Sequence, residues 1–525
     1  MNIHSLDIKK NQKKEILILL ACLIIGFTLR FYTFDQKSLW MDEIYTFNDS
    51  RGNLKSQIES YQKEPSYLHP PLFFTLTHLL YPFTKPERDL RIIPLIFGTL
   101  SIPMIYLLSR LFSPSIALPC TISLTFMAYH ISLSQDGRSY SLLMFLGMVG
   151  LYFFMKHLKT SKRGYLFFVS LFFTLLFHSS YSSIPFIALS QILWFYRPRE
   201  NETLPLKQRF YSFLILNTLF LLLCLPWLLL VTLNYKGQPL GDPLHIEDPG
   251  SFSNLLYGIL HDWVPHAPLM IASTILLILF PLFPKYRNNA FILLAVFLLP
   301  IGGLYLFCRL LNITHFITSR YFINFLPLFF ITLYLSLHNI EERFERLKRW
   351  MRLEVLFVIL FIASNLVILP LYYRSEKQDF RALTTYLKKY LQQGDKIYVE
   401  TLGYIPGMLH YFGTHPKDRY HIAYSMKNVE DKSERRAYFN YQNSTFTIYY
   451  SDICCTQYVA DGSRLWIITS KWEAERIMHN TPCVLKGYFD GSFLNFQRFP
   501  TDASMYLFLW DPRSPNEKGI DLPIE

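Results

Sequence analysis

Long apolar stretches recur between Ile16 and Tyr373, and no other feature of the sequence constrains the fold as strongly. A stretch of about 20 apolar residues matches the thickness of a bilayer core. Of the 525 residues, 51% are hydrophobic and only 17% are charged, which is typical of membrane proteins with many spans. We therefore expect a mainly α-helical polytopic membrane protein, in which only the C-terminal tail has the composition of a soluble domain.

Basic residues predict the orientation of this helical bundle. Lys13 and Lys14 precede the first apolar stretch, and further lysine and arginine clusters follow within 156–163, 197–209, 285–287 and 343–352. Loops that carry such clusters stay in the cytoplasm. No small-x-small cleavage site follows the first stretch, so we interpret it as a retained span with a cytoplasmic N-terminus, not as a signal peptide.

About eleven transmembrane helices are predicted on this basis. They are Ile16–Leu29, Ile92–Leu111, Ile116–Leu133, Tyr140–Met155, Tyr165–Phe177, Ser183–Tyr196, Phe210–Leu233, Leu269–Phe283, Ala290–Phe307, Tyr321–Leu337 and Leu353–Leu371. One further apolar run, Pro70–Phe83, is short and lies between prolines. Counting it as a span would place the later basic clusters outside, so we predict an interfacial or re-entrant helix within a long first external loop, 31–91.

Residues 374–525 differ in composition from the membrane module, 1–373. Asp379–Leu391 and Trp472–Met478 have helical patterns, whereas Lys396–Val399 and Leu465–Thr469 are typical of short strands. Since helices and strands alternate here, we expect a small extracytoplasmic α/β domain.

Several classes of function are disfavoured. The net charge of +12 comes mostly from the predicted cytoplasmic loops, so no nucleic-acid partner is expected. The chain has neither a P-loop nor a G-x-G-x-x-G motif after a strand, which argues against a nucleotide-driven motor. The cysteine spacing shows no zinc signature, and a bridge from Cys454 or Cys455 to Cys483 stays open for an oxidising compartment.

Acidic residues gather at one end of the predicted spans. Asp42 and Glu43 lie just beyond the first span in the stretch WMDEIY at 40–45, and Asp136 lies in the stretch QDGRSY at 135–140. Ionisable residues next to hydrocarbon are costly, and they therefore indicate a functional site. Two acidic clusters on the same face of the bundle favour a catalytic site over an anchor.

The order and spacing of several motifs resemble the GT-C superfamily of integral-membrane glycosyltransferases. These motifs are WMDEIY at 40–45, HPPL at 69–72, RIIP at 91–94 with FG at 97–98, QDGRSY at 135–140 and SRY at 319–321. The resemblance covers 16–337 and is strongest over 31–152. The chain looks most similar to bacterial relatives of the protein O-mannosyltransferases and of the aminoarabinose transferases that modify lipid A. In the tail, QDFR at 378–381 and GD at 394–395 also look like the external domain of this family.

The resemblance implies transfer of a sugar from a polyprenyl-phosphate carrier to an acceptor lipid, polysaccharide or protein on the extracytoplasmic face. Asp42 falls at the position of the family's catalytic carboxylate, where a general base accepts the proton of the attacking acceptor. A single displacement would invert the anomeric centre. The implied partners are the lipid-linked donor, membrane lipids and the acceptor, and the implied location is the inner membrane of a bacterium.

Two more acids belong to the predicted catalytic group. Glu43 is expected to orient Asp42 or to contact the acceptor, unless it is an exposed loop acid. Asp136 is expected to bind the sugar or a metal, or to shape the pKa of Asp42, unless it is merely paired with Arg138. Relatives carry Gln-Glu-Ala-Arg at this point, and the shorter carboxylate of Asp136 puts its reach in question.

Seven residues are candidates for binding the substrate or its phosphate. Guanidinium groups bind phosphate oxygens bidentately, which favours the arginines, although each would otherwise be an ordinary interfacial side chain. The histidines and tyrosines have equally ordinary alternatives as helix caps and interface anchors. The seven are Tyr45, His69, Arg91, Arg138, His178, Arg320 and Tyr321.

No metal or other cofactor is expected. Asp42, Glu43 and Asp136 would offer oxygen ligands to a divalent cation, but the resemblance is closer to the mannosyltransferase-like enzymes, which use none. A transporter or flippase of lipid-linked saccharides is the main alternative function. It is disfavoured because the acids gather at one face and not in the middle of the spans. Transfer of a whole oligosaccharide to protein is disfavoured because the tail lacks a Trp-Trp-Asp triplet.

Overall fold

The structure is a computed structural model that describes most of the chain. The described residues are 3–63, 69–197, 205–234, 252–283, 287–310, 318–344, 352–400, 402–413, 438–442, 446–451, 463–492, 504–514 and 518–520.

Helices dominate the first 374 residues. They are α1 (Ile3–Phe31), α2 (Met41–Arg51), α3 (Leu54–Lys63), α4 (Leu72–His78), α5 (Pro86–Phe112), α6 (Ala117–Phe126), α7 (Ala128–Ser134), α8 (Tyr140–Thr160), α9 (Gly164–Phe177), α10 (Ile184–Ser190), α11 (Leu206–Asn234), α12 (Phe252–Trp263), α13 (Ala267–Leu279), α14 (Arg287–Leu310), α15 (Leu326–Arg343) and α16 (Leu353–Arg374). Short 3₁₀ turns join some of them, among them Gln191–Phe195 and Ser319–Phe325.

The protein is an integral membrane protein. Six helices of the described residues are long and apolar enough to cross a bilayer, and there are eight such spans if each of two bent pairs counts as one. The expected mainly α-helical polytopic fold is therefore confirmed, whereas the number of about eleven spans stays a prediction.

One predicted span is bent, and another forms one arm of a bent helix pair. Where a single helix was predicted over Ile116–Leu133, α6 and α7 meet at an angle of 61°. The predicted span Leu269–Phe283 is preceded by α12, and this pair is bent by 109°. The run Pro70–Phe83 contains only the seven-residue α4, which is far too short to cross a membrane.

Aromatic side chains fill the bundle core. Phe154, Phe173 and Tyr334 are completely buried and belong to one large apolar cluster that joins α5–α16. Gly150 on α8 allows the close approach of α9, because an added Cβ would lie 2.8 Å from the ring of Phe173. This packing holds α5, α7 and α8 together, and the second acidic motif lies between α7 and α8.

The tail contains a six-stranded mixed sheet with helices on both faces. Its elements are α17 (Phe380–Tyr390), β1 (Asp395–Val399), α18 (Ile405–Phe412), β2 (Tyr438–Gln442), β3 (Phe446–Ser451), β4 (Leu465–Thr469), α19 (Lys471–Asn480), β5 (Val484–Phe489) and β6 (Met505–Trp510). The strand order is β2-β3-β1-β4-β6-β5, with β3, β1 and β4 parallel. The expected α/β domain is present. The predicted bridge from Cys454 or Cys455 involves residues outside the described part of the chain.

The tail and the segment between α1 and α5 share one apolar core. Alternate residues of a strand point to opposite faces, so Ile397 lies on one face of the sheet and Tyr398 on the other. The face that carries Ile397 packs against α17 and α18, and the same cluster includes Ile44 and Phe47 of α2. The tail therefore supports the helix that carries the first acidic motif.

Candidate active site

Helix α2 presents two adjacent carboxylates in its first turn. Asp42 and Glu43 follow directly after Trp40, the N-cap residue, and Met41. Carboxylates are favourable here because the backbone N–H groups at a helix start carry partial positive charge. The Glu43 side chain also accepts the backbone N–H of Trp40 at 3.3 Å, which fixes the beginning of the helix.

Glu43 forms a fully buried ion pair with Arg91. The Arg91 Nε and Nη2 atoms donate to the two Glu43 carboxylate oxygens at 2.7 and 2.6 Å, and both side chains are at most 1% exposed. The remaining N–H groups of the Arg91 guanidinium donate hydrogen bonds to the carbonyl oxygens of Phe34, Lys37 and Ser38.

This placement bears on the roles that were predicted for Arg91 and Glu43. Arg91 has no donor directed at an incoming phosphate, and Glu43 is too deeply buried to touch an acceptor. Glu43 instead organises its surroundings, because it also accepts the backbone N–H of Gly137 at 2.7 Å. A Cβ atom at position 137 would lie 3.2 Å from the Glu43 side chain, so a larger residue there would require a neighbour to shift by a few tenths of an ångström.

Asp42 is the accessible carboxylate of the pair, with 17% of its side chain exposed. Its Oδ2 atom lies 3.6 Å from Nη1 of Arg320 and 3.9 Å from Nε of Arg138. Arg138 also donates to the backbone oxygen of Asp42 and to the hydroxyl of Thr46, both at 3.3 Å. Burial alone would lower the pKa of Arg138, but nearby negative charge, Asp42 foremost, raises it above its ordinary value.

The Arg320 guanidinium lies among aromatic rings and is 27% exposed. Its Cζ atom is 5.5 Å from the ring centroid of Trp40 and 5.8 Å from those of Tyr140 and Tyr321. Within the described part of the chain its donors make no hydrogen bond, and its Nε atom is buried without a partner. A guanidinium group that is held in place and still has N–H groups without hydrogen-bond acceptors is suited to bind an anionic ligand.

Asp136 is occupied by other side chains. One of its oxygens lies 3.0 Å from Nζ of Lys377, and the other accepts the indole N–H of Trp40 at 3.0 Å. The alternative to a functional role, a pairing with Arg138, is not what the structure shows, because Asp136 pairs with Lys377. The predicted contact with sugar or metal does not suit this buried carboxylate, whose two oxygens both have partners.

The two histidines lie in different places. His69 lies close enough to Arg138 and Asp42 for both charges to affect its pKa. Protein surrounds most of the ring, but the residue remains solvent-accessible. Burial, with the charge of Arg138, lowers the pKa of His69 to about 4, so the ring is neutral at physiological pH. Whether His69 binds phosphate stays a prediction. His178 ends α9, where its carbonyl accepts the N–H of Leu72 at 2.9 Å and its ring lies beside Trp227.

The two predicted tyrosines lie on elements of the site. Tyr45 is half-buried on α2, one residue beyond Ile44, and Tyr321 lies beside Arg320.

Sequence inspection missed a carboxylate that contacts Ser319, the residue before Arg320. Asp262, at the end of α12, accepts a hydrogen bond from the hydroxyl of Ser319, and the hydroxyl of Tyr129 is 2.7 Å from the same Ser319 oxygen. The sequence marked Asp262 and Lys377 only weakly. Asp262 is an acid in a predicted external loop, and Lys377 is a lysine just before the QDFR stretch. Both are brought to the site by elements far apart in the chain.

The described residues contain no group of three or more histidine, cysteine, aspartate or glutamate side chains placed to hold a metal ion. Asp42, Glu43 and Asp136 each face a cation of the protein: Arg320, Arg91 and Lys377, respectively.

Comparisons with known proteins match the fold and not the sequence. No family model matches the chain, and no curated protein matches it. Among solved structures, ArnT from Cupriavidus metallidurans in the apo state matches with a TM-score of 0.53 and 11% sequence identity. The match covers 95% of this chain and 98% of the ArnT chain. ArnT bound to undecaprenyl phosphate matches with a TM-score of 0.52, the same identity and the same coverage.

The archaeal oligosaccharyltransferase AglB from Archaeoglobus fulgidus, in complex with an inhibitory peptide and a dolichol-phosphate, matches with a TM-score of 0.51 and 13% identity. The match covers 94% of this chain and 74% of the AglB chain. At such identities the likeness shows the fold alone. The chain shares the overall fold of ArnT and AglB, in agreement with the resemblance that the ordered motifs indicated.

Proposed function

We propose that this protein transfers a sugar from a polyprenyl-phosphate carrier to an acceptor, by a single inverting displacement with Asp42 as the general base. The observation that carries the proposal is the pairing of an accessible carboxylate, Asp42, with a partly unsatisfied guanidinium, Arg320, 3.6 Å away. The neighbouring acids Glu43 and Asp136 are buried and already paired.

Arg320 is the best-placed phosphate ligand. Its free N–H groups match the oxygens of a phosphodiester, and the surrounding rings of Trp40, Tyr140 and Tyr321 limit its motion. Arg138 adds a second positive charge, with its Nε atom 3.9 Å from the same Asp42 oxygen, Oδ2. The ArnT and AglB structures hold a polyprenyl phosphate or a dolichol-phosphate, and their shared fold supports a lipid phosphate as the ligand here.

The reaction needs a base more than an acid. A hydroxyl of the acceptor is a weak nucleophile, whereas the carrier phosphate is a good leaving group. As the acceptor oxygen bonds to the anomeric carbon, its proton passes to Asp42, and the bond from that carbon to the phosphate oxygen breaks. The two arginines then stabilise the negative charge that returns to the departing phosphate.

We propose that the reaction requires no metal ion, because the protein's own cations already neutralise the acids of the site. We also propose that the protein lies in the inner membrane of a bacterium, with the N-terminus in the cytoplasm and the tail outside. This orientation places α2 and the tail, which share a core, on the side opposite to the basic loops. A cysteine at Lys85 that reacts only from the cytoplasmic side would contradict it.

Titration of the purified protein with undecaprenyl phosphate tests the phosphate site. In lipid nanodiscs containing EDTA, we expect saturable binding to the wild type and a loss of roughly tenfold to a hundredfold in affinity for Arg320→Met, since hydrogen bonds to a charged group contribute about 1.5–3 kcal/mol. Arg110→Met is the matched control, because Arg110 pairs with Glu15 elsewhere in the bundle. Equal affinity of the wild type and Arg320→Met, or binding only when a divalent ion is added, would overturn the proposal.

A further inference from the structure

Three consecutive residues of the tail, 376–378, contact the first loop or the residues next to it. Glu376 accepts the backbone N–H of Ser38 at 2.9 Å, and Gln378 accepts the backbone N–H of Met41 at 2.9 Å. Between them, Lys377 reaches past the loop to Asp136. The tail is thus hydrogen-bonded to the backbone directly before the Asp42 helix.

Lys377 begins a chain of contacts that leads to the proposed phosphate ligand. Its Nζ atom lies 3.0 Å from Oδ2 of Asp136, and Oδ1 of Asp136 accepts the indole N–H of Trp40 at 3.0 Å. The Trp40 ring then lies 5.5 Å from the Arg320 guanidinium, whose Nη1 atom faces Asp42 at 3.6 Å. Four segments that are distant in sequence are linked in this way.

The burial of these groups decides what they can do. Trp40 is only 3% exposed, so its ring cannot stack on a sugar in the open part of the site. The side chains of Lys377 and Asp136 are also buried, whereas Arg320 and Asp42 are accessible. The accessible groups are therefore those that can meet a substrate, and the buried groups are those that can hold them.

Trp40 lies within reach of two cations. Besides Arg320, the Lys377 ammonium is 5.3 Å from the centroid of the same ring. The ion pair of Lys377 with Asp136 fixes the indole through its N–H, and the fixed indole supports the guanidinium through a cation–π contact. Loss of the lysine would leave the Asp136 charge buried and unpaired, and would release the ring.

Resting on the proposed function, we infer that Lys377, Asp136 and Trp40 form a positioning relay through which the tail domain holds Arg320 in register with Asp42 for the donor phosphate. None of the three touches the donor. Lys377 is thus a positioning residue supplied by the C-terminal domain, and the domain is a working part of the phosphate site.

The relay makes a specific prediction about coupling. Lys377→Met should weaken the binding of undecaprenyl phosphate by roughly fivefold to thirtyfold, the range expected for loss of a desolvated cation–π contact. In a protein that already carries Arg320→Met, the same substitution should change the affinity by less than about twofold, because there is no guanidinium left to position. Trp40→Phe should behave in the same way. Lys377→Arg should restore most of the wild-type affinity.

The matched control is Lys37→Met. Lys37 is also buried near this contact, where it donates to the carbonyl oxygen of Tyr372 and lies over that tyrosine ring, but it does not contact Asp136. It should leave the affinity for undecaprenyl phosphate unchanged. The affinities are measured on full-length protein in nanodiscs, with thermal unfolding recorded for each variant to confirm that it is folded. Trp40→Phe decides the question if Lys377→Met does not fold.

The outcomes separate the two proposals. If Arg320→Met itself leaves the affinity unchanged, the proposed phosphate site is wrong. If Arg320→Met weakens binding but Lys377→Met and Trp40→Phe do not, the relay is wrong while the phosphate site stands. Additive losses in the double variants would also overturn the relay, since they would mean that Lys377 meets the carrier directly.

Discussion

Asp42 and Glu43 are neighbours in the sequence, yet the helix separates their environments. Successive residues of an α-helix point about 100° apart, because 3.6 residues make one turn. This rotation directs Glu43 into the core against Arg91 and leaves Asp42 beside the accessible Arg320. The acidic motif was recognisable in the sequence. Which acid meets the substrate depends on where the helix begins and what it packs against.

Arg91 and Arg320, two of the three arginines that the sequence suggested as phosphate ligands, are predicted to respond differently to substitution. Arg91→Met leaves the Glu43 charge buried without a partner and should lower the free energy of unfolding by about 3–5 kcal/mol. Arg320→Met removes only a partly exposed ion pair at 3.6 Å, which contributes at most about 1 kcal/mol.

Thermal unfolding of the two variants in the same detergent measures this difference. We expect a clear fall in the melting temperature for Arg91→Met and almost none for Arg320→Met. A stable Arg91→Met protein with impaired carrier binding would show that Arg91 serves the substrate after all.

Among the elements, the bend between α6 and α7 shows where apolar periodicity stops being informative. The chain contains no proline at this point, and an unbroken span was predicted. The break is held by polar groups from other helices: Asn365 accepts the N–H of Ala128 at 2.8 Å, and Arg30 donates to the carbonyl groups of Leu124 and Thr125. Kinks have local causes of this kind. The polar residues Arg30 and Asn365 within apolar helices were the available signal.

The strands were easier to predict than the bends. The expected strands Lys396–Val399 and Leu465–Thr469 agree with β1 and β4, which are short apolar runs next to turn residues. They pair in parallel at the centre of the sheet. Their order in the sheet depends on contacts between distant segments, which a single sequence does not display.

The end of β1 carries a carboxyl group that should make the tail domain sensitive to pH. Glu400 lies beside Thr469, which donates to it, and 3.0 Å from Arg476. Burial, with the nearby charge of Glu473, raises the pKa of Glu400 to about 7. Between about pH 4.5 and 7, Glu400 is therefore protonated in the folded protein but ionised in the unfolded chain. The free energy of unfolding consequently falls as the pH rises through this range.

Glu400→Gln should remove this dependence. We expect the variant to unfold at a higher temperature than the wild type at pH 8, by an amount equivalent to at most about 3 kcal/mol, and at nearly the same temperature at pH 5. Thermal unfolding of the full-length protein in detergent at the two pH values is the measurement. The prediction would be contradicted if the wild type were more stable at pH 8 than at pH 5 and Glu400→Gln unfolded at the same temperatures as the wild type.

At the scale of the whole molecule, the tail is joined to the membrane module through the site itself. Phe380 and Ile405 of the tail share a core with Ile44 of α2, and Arg381 pairs with Glu87 at the start of α5 at 2.9 Å. The sequence predicted the polytopic helical fold and an α/β domain in the tail, because motif order and composition carry that information. It did not predict Lys377 at the site, because that residue reaches Asp136 only when the tail folds back onto the first loop.

The central claim is that Asp42 is the base of a sugar transfer from a lipid phosphate. The most direct test is mass spectrometry of the polyprenyl-phosphate sugars and glycoconjugates of cells that express the wild type, Asp42→Asn or Asp35→Asn at matched levels in the membrane. Asp35 is the control, since it is an acid of the same loop that pairs with Lys85. We expect one lipid-linked sugar to accumulate, and one glycoconjugate to lose that unit, with Asp42→Asn alone. Identical profiles for the wild type and Asp42→Asn at equal expression would contradict the claim.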